Sequence, residues 1–388
     1  MTPRCLPRTP KRQQTFPVSD QALYDKLNRM ELGVSAALVR DSARRAAEVI
    51  DELGARRPAW LPDYRVRILD GNAPAATEHR LEPLRDTWAA PLPGKILVVM
   101  DPELSLACDA FLTPDGHAQE RSLLDDVLQT VRARDLWMAD RNFCTLKFLF
   151  EIADKMAFFL IRQHGQLHGR LKGRRRFVGN SSTGKVYEQS LELTQAGATR
   201  TVRRITIELL KPTRDGDMTL HVLTNLPAEV SALICAELYR QRWSIETLFY
   251  EVTQTLVCEI KTLCYPPAAL FVFCLALTAA NAVAVLKGAL RATYGDADAD
   301  GMSAYYLALE IKQVHEGMMI ALPADEWTIF RTMSVAEFAA QLKALASHMD
   351  LDLDRKSKRG PKKPPRPKDQ YRNGGHVSTY KELRDKEP

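Results

Sequence analysis

The sequence lacks the cysteine patterns that define a disulfide framework or a zinc site. Its seven cysteines are scattered, and neither a CxxC pair nor a Cys/His zinc spacing occurs. Several of them lie in apolar runs, where a free thiol behaves as a small hydrophobic side chain. We therefore expect a protein of a reducing compartment that forms no disulfide bonds.

Signals for export and for membrane insertion are also scarce. No apolar run follows the basic residues near the N-terminus, so no secretory signal is predicted. The stretch 268–286 is apolar over the length that a bilayer requires. It is rich in alanine and contains Thr278 and Asn281, and a buried core helix is also apolar all round. We expect a core helix there and no membrane partner.

The composition is that of a globular protein, with 45% hydrophobic and 26% charged residues. A length of 388 residues predicts two or three domains. The formal net charge of +6 is modest, but the basic residues are unevenly placed. Twelve lysines and arginines fall between positions 162 and 214, and Arg174, Arg175 and Arg176 are consecutive. This segment favours a polyanionic partner.

Hydrophobic patterning predicts an α/β fold built on a mixed sheet with flanking helices. The sheet is interrupted by a segment of short β-like runs at 186–193, 201–210 and 219–223. The remaining predicted elements, in chain order, are helices 20–30 and 35–53, strands 65–70, 95–100 and 107–112, a helix 119–134, a strand 136–139, a helix 145–155, a strand 157–161, a long helix 228–256 and a helical region 302–348.

Changes in pattern and composition divide the chain into six predicted regions. The last of them is rich in proline, lysine and arginine and should be unstructured. The regions are a helical N-terminal region 1–60, the first part of a core 61–161, a basic β insertion 162–226, the second part of the core 227–290, a C-terminal helical region 291–350 and a basic tail 351–388.

Three acids stand out by their positions. Asp70 ends the first predicted strand, Asp140 ends a later one, and Glu246 lies on the long predicted helix. Mg²⁺ binds one or two carboxylates together with waters and phosphate, and two such ions stabilise the attacking and leaving oxygens of a phosphoryl displacement. The alternative is that these acids are ordinary solvated turn residues. Asp101, which ends another strand, competes with Asp70, although Asp101-Pro102 is typical of a turn.

The segment from Tyr239 to Glu246 predicts a more specific arrangement. Tyr239, Arg242 and Glu246 have the spacing i, i+3, i+7 and therefore share one helical face. An arginine beside a metal-binding carboxylate can grip the adjacent phosphate. The simpler interpretation is a surface i,i+4 ion pair between Arg242 and Glu246. His117 and Glu120 are possible supporting groups, with helix capping as the simpler role.

Several stretches taken together resemble the insertion-sequence-4 family of DDE transposases. Leu69-Asp-Gly-Asn72 is similar to the first-aspartate strand of that family, and Ala139-Asp-Arg-Asn-Phe-Cys-Thr145 is similar to its second-aspartate block. Tyr239, Arg242 and Glu246 match the first three residues of its Tyr-Arg-Glu-Lys signature. The resemblance covers roughly residues 60–285.

This resemblance implies a ribonuclease-H-like fold and a bacterial, nucleoid-associated cytoplasmic enzyme of cut-and-paste DNA transposition. Two Mg²⁺ ions, or Mn²⁺ as a substitute, would drive phosphodiester hydrolysis and strand transfer at insertion-sequence ends. The partners would be double-stranded DNA, as terminal inverted repeats and target DNA, and a second copy of the chain in a homodimer. The implied catalytic and metal-binding residues are Asp70, Asp140 and Glu246, and the candidate DNA-binding residues are Tyr239, Arg242, Arg141, Arg174, Arg175 and Arg176.

The sequence departs from that family at two points. Thr253 stands where the signature has its lysine, and residues 1–60 are short for a complete end-binding domain, as in a truncated form. These departures support a second hypothesis, a catalytically inactive transposase remnant that still binds DNA. A third hypothesis is a ribonuclease-H-like DNA nuclease that cuts DNA without joining ends.

Overall fold

The computed structural model describes residues 18–74, 91–213, 216–258, 265–323, 325–356 and 377–384. The predicted basic arm before residue 18 and most of the predicted tail lie outside these residues. Residues 377–384, by contrast, form a strand and a short helix. The expectation of an unstructured tail is therefore wrong for this segment, because the strand pairs with residues 91–92.

The fold is built on one nine-stranded sheet, with the order β4-β3-β1-β5-β6-β10-β9-β8-β7, and a separate two-stranded pair of β2 with β11. The strands are β1 (Arg65–Asn72), β2 (Pro91–Leu92), β3 (Lys95–Asp101), β4 (Leu106–Thr113), β5 (Asp135–Ala139), β6 (Phe158–Arg162), β7 (Arg170–Asn180), β8 (Gly184–Gln195), β9 (Ala198–Leu209), β10 (Thr219–Thr224) and β11 (Val377–Ser378).

Five of these strands form the mixed part of the sheet. Strands β1, β5 and β6 are parallel, whereas β3 and β4 are antiparallel to their neighbours. The predicted α/β class, a mixed sheet with flanking helices, is confirmed. Its ribonuclease-H-like character stays a prediction. Parallel strands end at the same edge of a sheet, so the residues after β1, β5 and β6 are brought together.

The basic segment extends this sheet. Strand β10 pairs antiparallel with β6, and β9, β8 and β7 follow outward to the edge. The three predicted strands here are confirmed as β8, β9 and β10. No strand is predicted at β7, because its run of arginines and glycines has no alternation of polar and apolar residues. Its pairing with β8 is interrupted by two register shifts.

Helices cover both faces of the sheet. Helices α2, α5, α6 and α7 pack on the face that carries Ile68, Met138 and Leu160, and α3 and α4 pack on the other face. The helices are α1 (Asp20–Asn28), α2 (Leu32–Glu52), α3 (Leu124–Thr130), α4 (Leu146–Asp154), α5 (Ala232–Gln241), α6 (Ser244–Tyr250), α7 (Pro266–Tyr294), α8 (Asp296–Gly301), α9 (Ala304–Ala321), α10 (Ile329–Thr332), α11 (Val335–Ala346) and α12 (Thr379–Arg384).

The predicted long helix 228–256 is interrupted. Ser231 caps the start of α5 by accepting a hydrogen bond from the Ile234 N–H. The Arg242 N–H donates to Tyr239, three residues back, so the helical turn tightens before α6 begins. A π-helical turn, Glu251–Thr255, then ends the segment. Similarly, the predicted helix 119–134 is a 3₁₀ turn, Glu120–Leu123, followed by α3, which is shorter than predicted.

Helix α7 is the apolar helix that the sequence predicts. By length and composition it could cross a membrane, but 61% of its most apolar window is buried inside the protein. Asn281 ties it to β4, since its side chain accepts from the Ala107 N–H and donates to the Ala107 carbonyl. This amide satisfies two backbone groups inside the core, as buried polar groups require.

Candidate active site

The two aspartates lie side by side at the ends of adjacent parallel strands. Leu69 in β1 is paired with Ala139 in β5, so Asp70 and Asp140 occupy matching positions. Leu69 and Ala139 belong to the sheet face that α3 and α4 cover, so the alternation of side chains along a strand places Asp70 and Asp140 on the face that α5 and α6 cover. Burial raises the pKa of the Asp70 carboxyl to about 6, and the charge of Asp140 adds to this rise while Arg242 opposes it. The pair is therefore a concentration of negative charge that is partly removed from water.

Arg242 carries the positive charge of this site. It is only 8% exposed, and its guanidinium donates to the Asp70 carboxylate at 2.9 Å. Its other terminal nitrogen lies 3.8 Å from the Glu246 carboxylate. The simpler interpretation from sequence, a surface ion pair, is wrong for Arg242, because this side chain is buried and its nearer partner is Asp70. Glu246 itself is 48% exposed in its side chain.

Tyr239 lies beneath this ion pair. Its side chain is buried, and the guanidinium carbon of Arg242 is 5.9 Å from the centre of its ring. Burial raises the pKa of the Tyr239 hydroxyl to about 12. Tyr239 therefore supports Arg242 from within the protein and offers little surface to a partner in this state.

Glu120 also belongs to the site, although its position in the sequence favours a helix-capping role. It opens a 3₁₀ turn, but no side-chain cap is formed there. Instead its carboxylate accepts a hydrogen bond from the side-chain amide of Asn142 and lies against Gly71. Gly71 follows Asp70 and Asn142 is two residues after Asp140, so Glu120 links the two segments that carry the aspartates. The expected capping role for Glu120 is wrong.

Arg162 was not singled out by its sequence. Ala139 is paired with Ile161, so Arg162 is level with Asp140 in the next strand. Its guanidinium binds Asp217 at 2.5 Å, and Arg141 lies 3.8 Å from the same carboxylate. The signal that could have found it is its place at the end of β6, the third parallel strand.

The sequence profile of the transposase DDE domain matches residues 62–281. This stretch is more than half of the chain and includes Asp70, Asp140 and Glu246. The chain belongs to the DDE transposase family. No curated protein matches the sequence of this transposase.

A search of solved structures finds the cryo-EM structure of a piggyBac transposase synaptic complex with hairpin DNA. The two chains are 12% identical, with a TM-score of 0.37. The match covers 73% of the present transposase and 52% of the piggyBac chain, so it spans about half the length of that protein.

DDE transposases generally use divalent metal ions. The carboxylate oxygens of Asp70 and Asp140 suit a hard divalent cation. Burial disfavours the ionised form of Asp70, as its raised pKa indicates, and a bound cation would stabilise that form. Within the described residues, no three acidic, histidine or cysteine side chains are grouped closely enough to hold a metal together. Arg242 lies between Asp70 and Glu246, so the assignment of Glu246 as a third ligand stays a prediction.

The three consecutive arginines of the transposase lie on β7, at the far edge of the sheet. Arg176 binds Glu188, whereas Arg175 binds Glu208 and stacks over Tyr187 at 4.0 Å. Neighbouring residues of a strand point to opposite faces, so these three side chains do not all lie on the face of the two aspartates. Their role in DNA binding stays a prediction.

Proposed function

We propose that this transposase is a cut-and-paste enzyme of the insertion-sequence-4 type, which cleaves and rejoins DNA at the ends of its element. The observation that carries the proposal is the position of Asp70 and Asp140. They lie on adjacent strands within the family match, against the segment that carries Arg242 in the break after α5 and Glu246 in α6.

In the proposed reaction, Asp70, Asp140 and Glu246 hold Mg²⁺, or Mn²⁺ in its place. Two such ions would stabilise the attacking and leaving oxygens. Water forms a new P–O bond and releases its proton to solvent, while the bond from phosphorus to the 3′ oxygen breaks and that oxygen is protonated. The resulting 3′-hydroxyl of the element then attacks a target phosphodiester and releases its proton. It forms a new P–O bond while the bond from that phosphorus to the target's own 3′ oxygen breaks and that oxygen is protonated. Arg242 is placed to contact the phosphate beside the carboxylates.

The proposed partner is double-stranded DNA, first as terminal inverted repeats and then as target. Arg141, Arg174, Arg175 and Arg176 would contact its backbone, while Tyr239 would act through Arg242. Pairing of two ends requires two active sites, so we propose a homodimer in the DNA complex. An enzyme with this substrate would work at the nucleoid in the bacterial cytoplasm.

The test is cleavage of a duplex that carries one end of the element, by the full chain with Mg²⁺, with Mn²⁺ and without metal. We expect metal-dependent nicking at the end sequence and joining of the new 3′ end to a second duplex. A duplex with a scrambled end is the control. Cutting of branched DNA without joining would instead identify a structure-selective nuclease.

One observation favours the second candidate, an inactive DNA-binding remnant. The Thr253 hydroxyl donates to the Phe249 carbonyl inside the π-helical turn and supplies no positive charge. If Thr253→Lys cleaves an end that the wild type binds without cutting, the remnant is the correct interpretation. Metal-dependent cleavage by the wild type itself rejects it.

A further inference from the structure

A polar cavity lies away from the aspartates, on the sheet face opposite α5 and α6. It has a volume of about 330 Å³ and is formed by the loop after β6 together with β9 and β10. The Gln163 N–H donates to the His221 carbonyl at 2.7 Å, and the Gln163 side chain donates to the Leu167 carbonyl at 2.9 Å. These bonds hold the loop against β10. The polar side chains that line the cavity are those of Gln163, His164, His168, Arg204 and His221.

Arg204 is the principal charge of this cavity, and it has no carboxylate partner among the residues that the structure describes. Its Nε is buried without a hydrogen-bond partner. Burial lowers the pKa of the Arg204 guanidinium, and the neighbouring Arg175 lowers it further. Leaving a cation half-buried beside another cation is unfavourable unless an anion compensates it.

Three neighbouring arginines of the insertion have carboxylate partners. Arg203 binds Glu188, Arg200 binds Asp154 and Arg175 binds Glu208. Arg204 differs from these three, and the difference coincides with the cavity. A fully solvated arginine would have a hydrated Nε, whereas the Nε of Arg204 is buried beside the cavity.

His221 completes a lining suited to an anion. Burial lowers the pKa of His221 to about 4, and Arg204, Arg175 and Arg162 lower it further, so the ring is neutral at pH 7. One ring nitrogen is hydrogen-bonded to the Thr206 hydroxyl at 3.0 Å, which leaves the other for a ligand. No aspartate or glutamate lines the cavity in the described part of the chain. A metal ion would lack an anionic ligand here, whereas an oxyanion would find a guanidinium and imidazole groups.

We propose that this cavity binds one backbone phosphate of the DNA substrate, through Arg204, with His168 and His221 as further donors. The inference rests on the proposed function. Arg204 is in register with Leu223 of β10, which is level with Ile161 and, one strand further, with Ala139. Three strand spacings of about 4.8 Å put Arg204 about 14 Å along the sheet from β5, on the face opposite the aspartates. DNA that contacts both sites must pass the edge at which the strands end. Duplex DNA rises about 3.4 Å per nucleotide of one strand, so the phosphate would be at least about four nucleotides from the cleaved bond.

The experiment replaces single phosphates of an end-containing duplex by uncharged methylphosphonates, one position at a time. Binding is measured as a function of salt for the full chain and for Arg204→Gln. We expect one position, a few nucleotides from the cut, at which neutralisation weakens the wild type about tenfold. The same substitution should not affect Arg204→Gln, whose salt slope should be lower by about 0.9.

Arg200→Gln is the matched control, because it removes the same charge from the same strand and the same face. It should keep the sensitive position. Arg204→Gln should melt at the wild-type temperature or higher, because it removes a partly desolvated charge. Arg204→Lys should recover part of the DNA binding that Arg204→Gln loses. Equal effects of the two glutamine variants at every position would overturn the proposal.

A further arm separates the two sources of the oxyanion. Inorganic phosphate and pyrophosphate are titrated against the wild type and Arg204→Gln in the absence of DNA. Arg204-dependent binding of these ions, with no sensitive DNA position, would show a site for a free oxyanion and reject the DNA site. DNA binding is measured without metal, so the proposed phosphate site is tested even if the protein does not cleave DNA. The cleavage activity of Glu246→Gln tests the proposed function alone.

Discussion

Arg242 and Asp70 form a 2.9 Å ion pair between the break after α5 and the end of β1. The two residues are 172 positions apart in the chain, and both side chains are largely removed from solvent. The arginine thus neutralises part of the charge that Asp70 and Asp140 create together. The same guanidinium lies near Glu246, so the acids that we propose as metal ligands share one cation supplied by the protein. This arrangement makes the site sensitive to charge changes at each of these residues.

Glu246→Gln should abolish cleavage while leaving the fold intact. The variant keeps the shape of the side chain and removes the charge proposed to hold metal, so we expect a loss of roughly a thousandfold or more in metal-dependent cleavage. DNA binding should persist, because phosphate contacts supply most of it. Glu237→Gln, at a half-buried acid of α5 that binds Ser182 and Arg240, is the control and should cleave normally. Near-wild-type cleavage by Glu246→Gln would refute the assignment.

The raised pKa of Asp70 predicts a pH dependence. Cleavage requires the ionised carboxylate, so the rate should fall about tenfold per pH unit below the pKa of Asp70, which burial raises to about 6. The folded state holds this proton more tightly than the unfolded state, whose pKa is near 3.8. The contribution of Asp70 to the free energy of unfolding therefore decreases as pH rises from 3.8 to about 6 and is constant above that.

Denaturation without metal at several pH values checks this sign. The wild type should lose stability over this interval relative to Asp70→Asn, which cannot titrate. Parallel curves for the two proteins would mean that Asp70 has an ordinary pKa. A pH–rate profile with its inflection near 4 would lead to the same conclusion.

Gly71→Ala should disturb the link between the two aspartate segments. A Cβ at Gly71 would lie 2.3 Å from a carboxylate oxygen of Glu120, which must then leave Asn142. The end of a glutamate is flexible, so we expect a stability loss below about 2 kcal/mol but a tenfold to roughly hundredfold loss of cleavage. Gly33→Ala is the control, since nothing lies within 4 Å of its added Cβ. Melting and cleavage are measured for both, and equal cleavage would contradict a role for Glu120.

Neutralising the arginines of β7 should weaken DNA binding and flatten its dependence on salt. Each phosphate contact contributes about 0.9 to the slope. Arg176 already binds Glu188, so Arg176→Gln should change the slope less than Arg174→Gln, for which the described residues provide no carboxylate. Fluorescence anisotropy at a series of salt concentrations measures the slopes. A triple glutamine variant with the wild-type slope would show that this strand is only a solvated edge.

Asn281→Ala should destabilise the fold by about 2–4 kcal/mol, because it leaves the N–H and carbonyl of Ala107 buried without partners. Thr278→Ala is the control on the same helix. Its hydroxyl bonds only to the Cys274 carbonyl of its own helix, so a loss below about 1 kcal/mol is expected. Urea denaturation measures both free energies. Similar losses in the two variants would mean that Asn281 does not join α7 to the sheet.

The sequence by itself determined the class of fold and the family. Short apolar runs predict β1, β3, β4, β5 and β6, and the runs of β3, β5 and β6 are continuous because these strands are buried on both faces. Asp70 and Asp140 were found in the same way, since each directly follows such a run. The spacing of Tyr239, Arg242 and Glu246 was readable as a motif, but the single helix that it predicted is divided, with Tyr239 in α5, Arg242 in the break and Glu246 in α6.

Only the tertiary structure decided how these residues meet. The Asp70–Arg242 pair and the contact of Glu120 with Gly71 join segments that are distant in sequence, and no local periodicity reports such contacts. The interruption after α5 is also not visible in the sequence, because the apolar spacing continues through Arg242. In the structure, α5 ends there in a tightened turn, and Arg242 forms its buried ion pair with Asp70. Likewise, the sequence of this basic segment does not show that Arg204 lacks a carboxylate partner among the described residues. Whether an arginine has a partner depends on which strands lie beside it, and that is set by the sheet order.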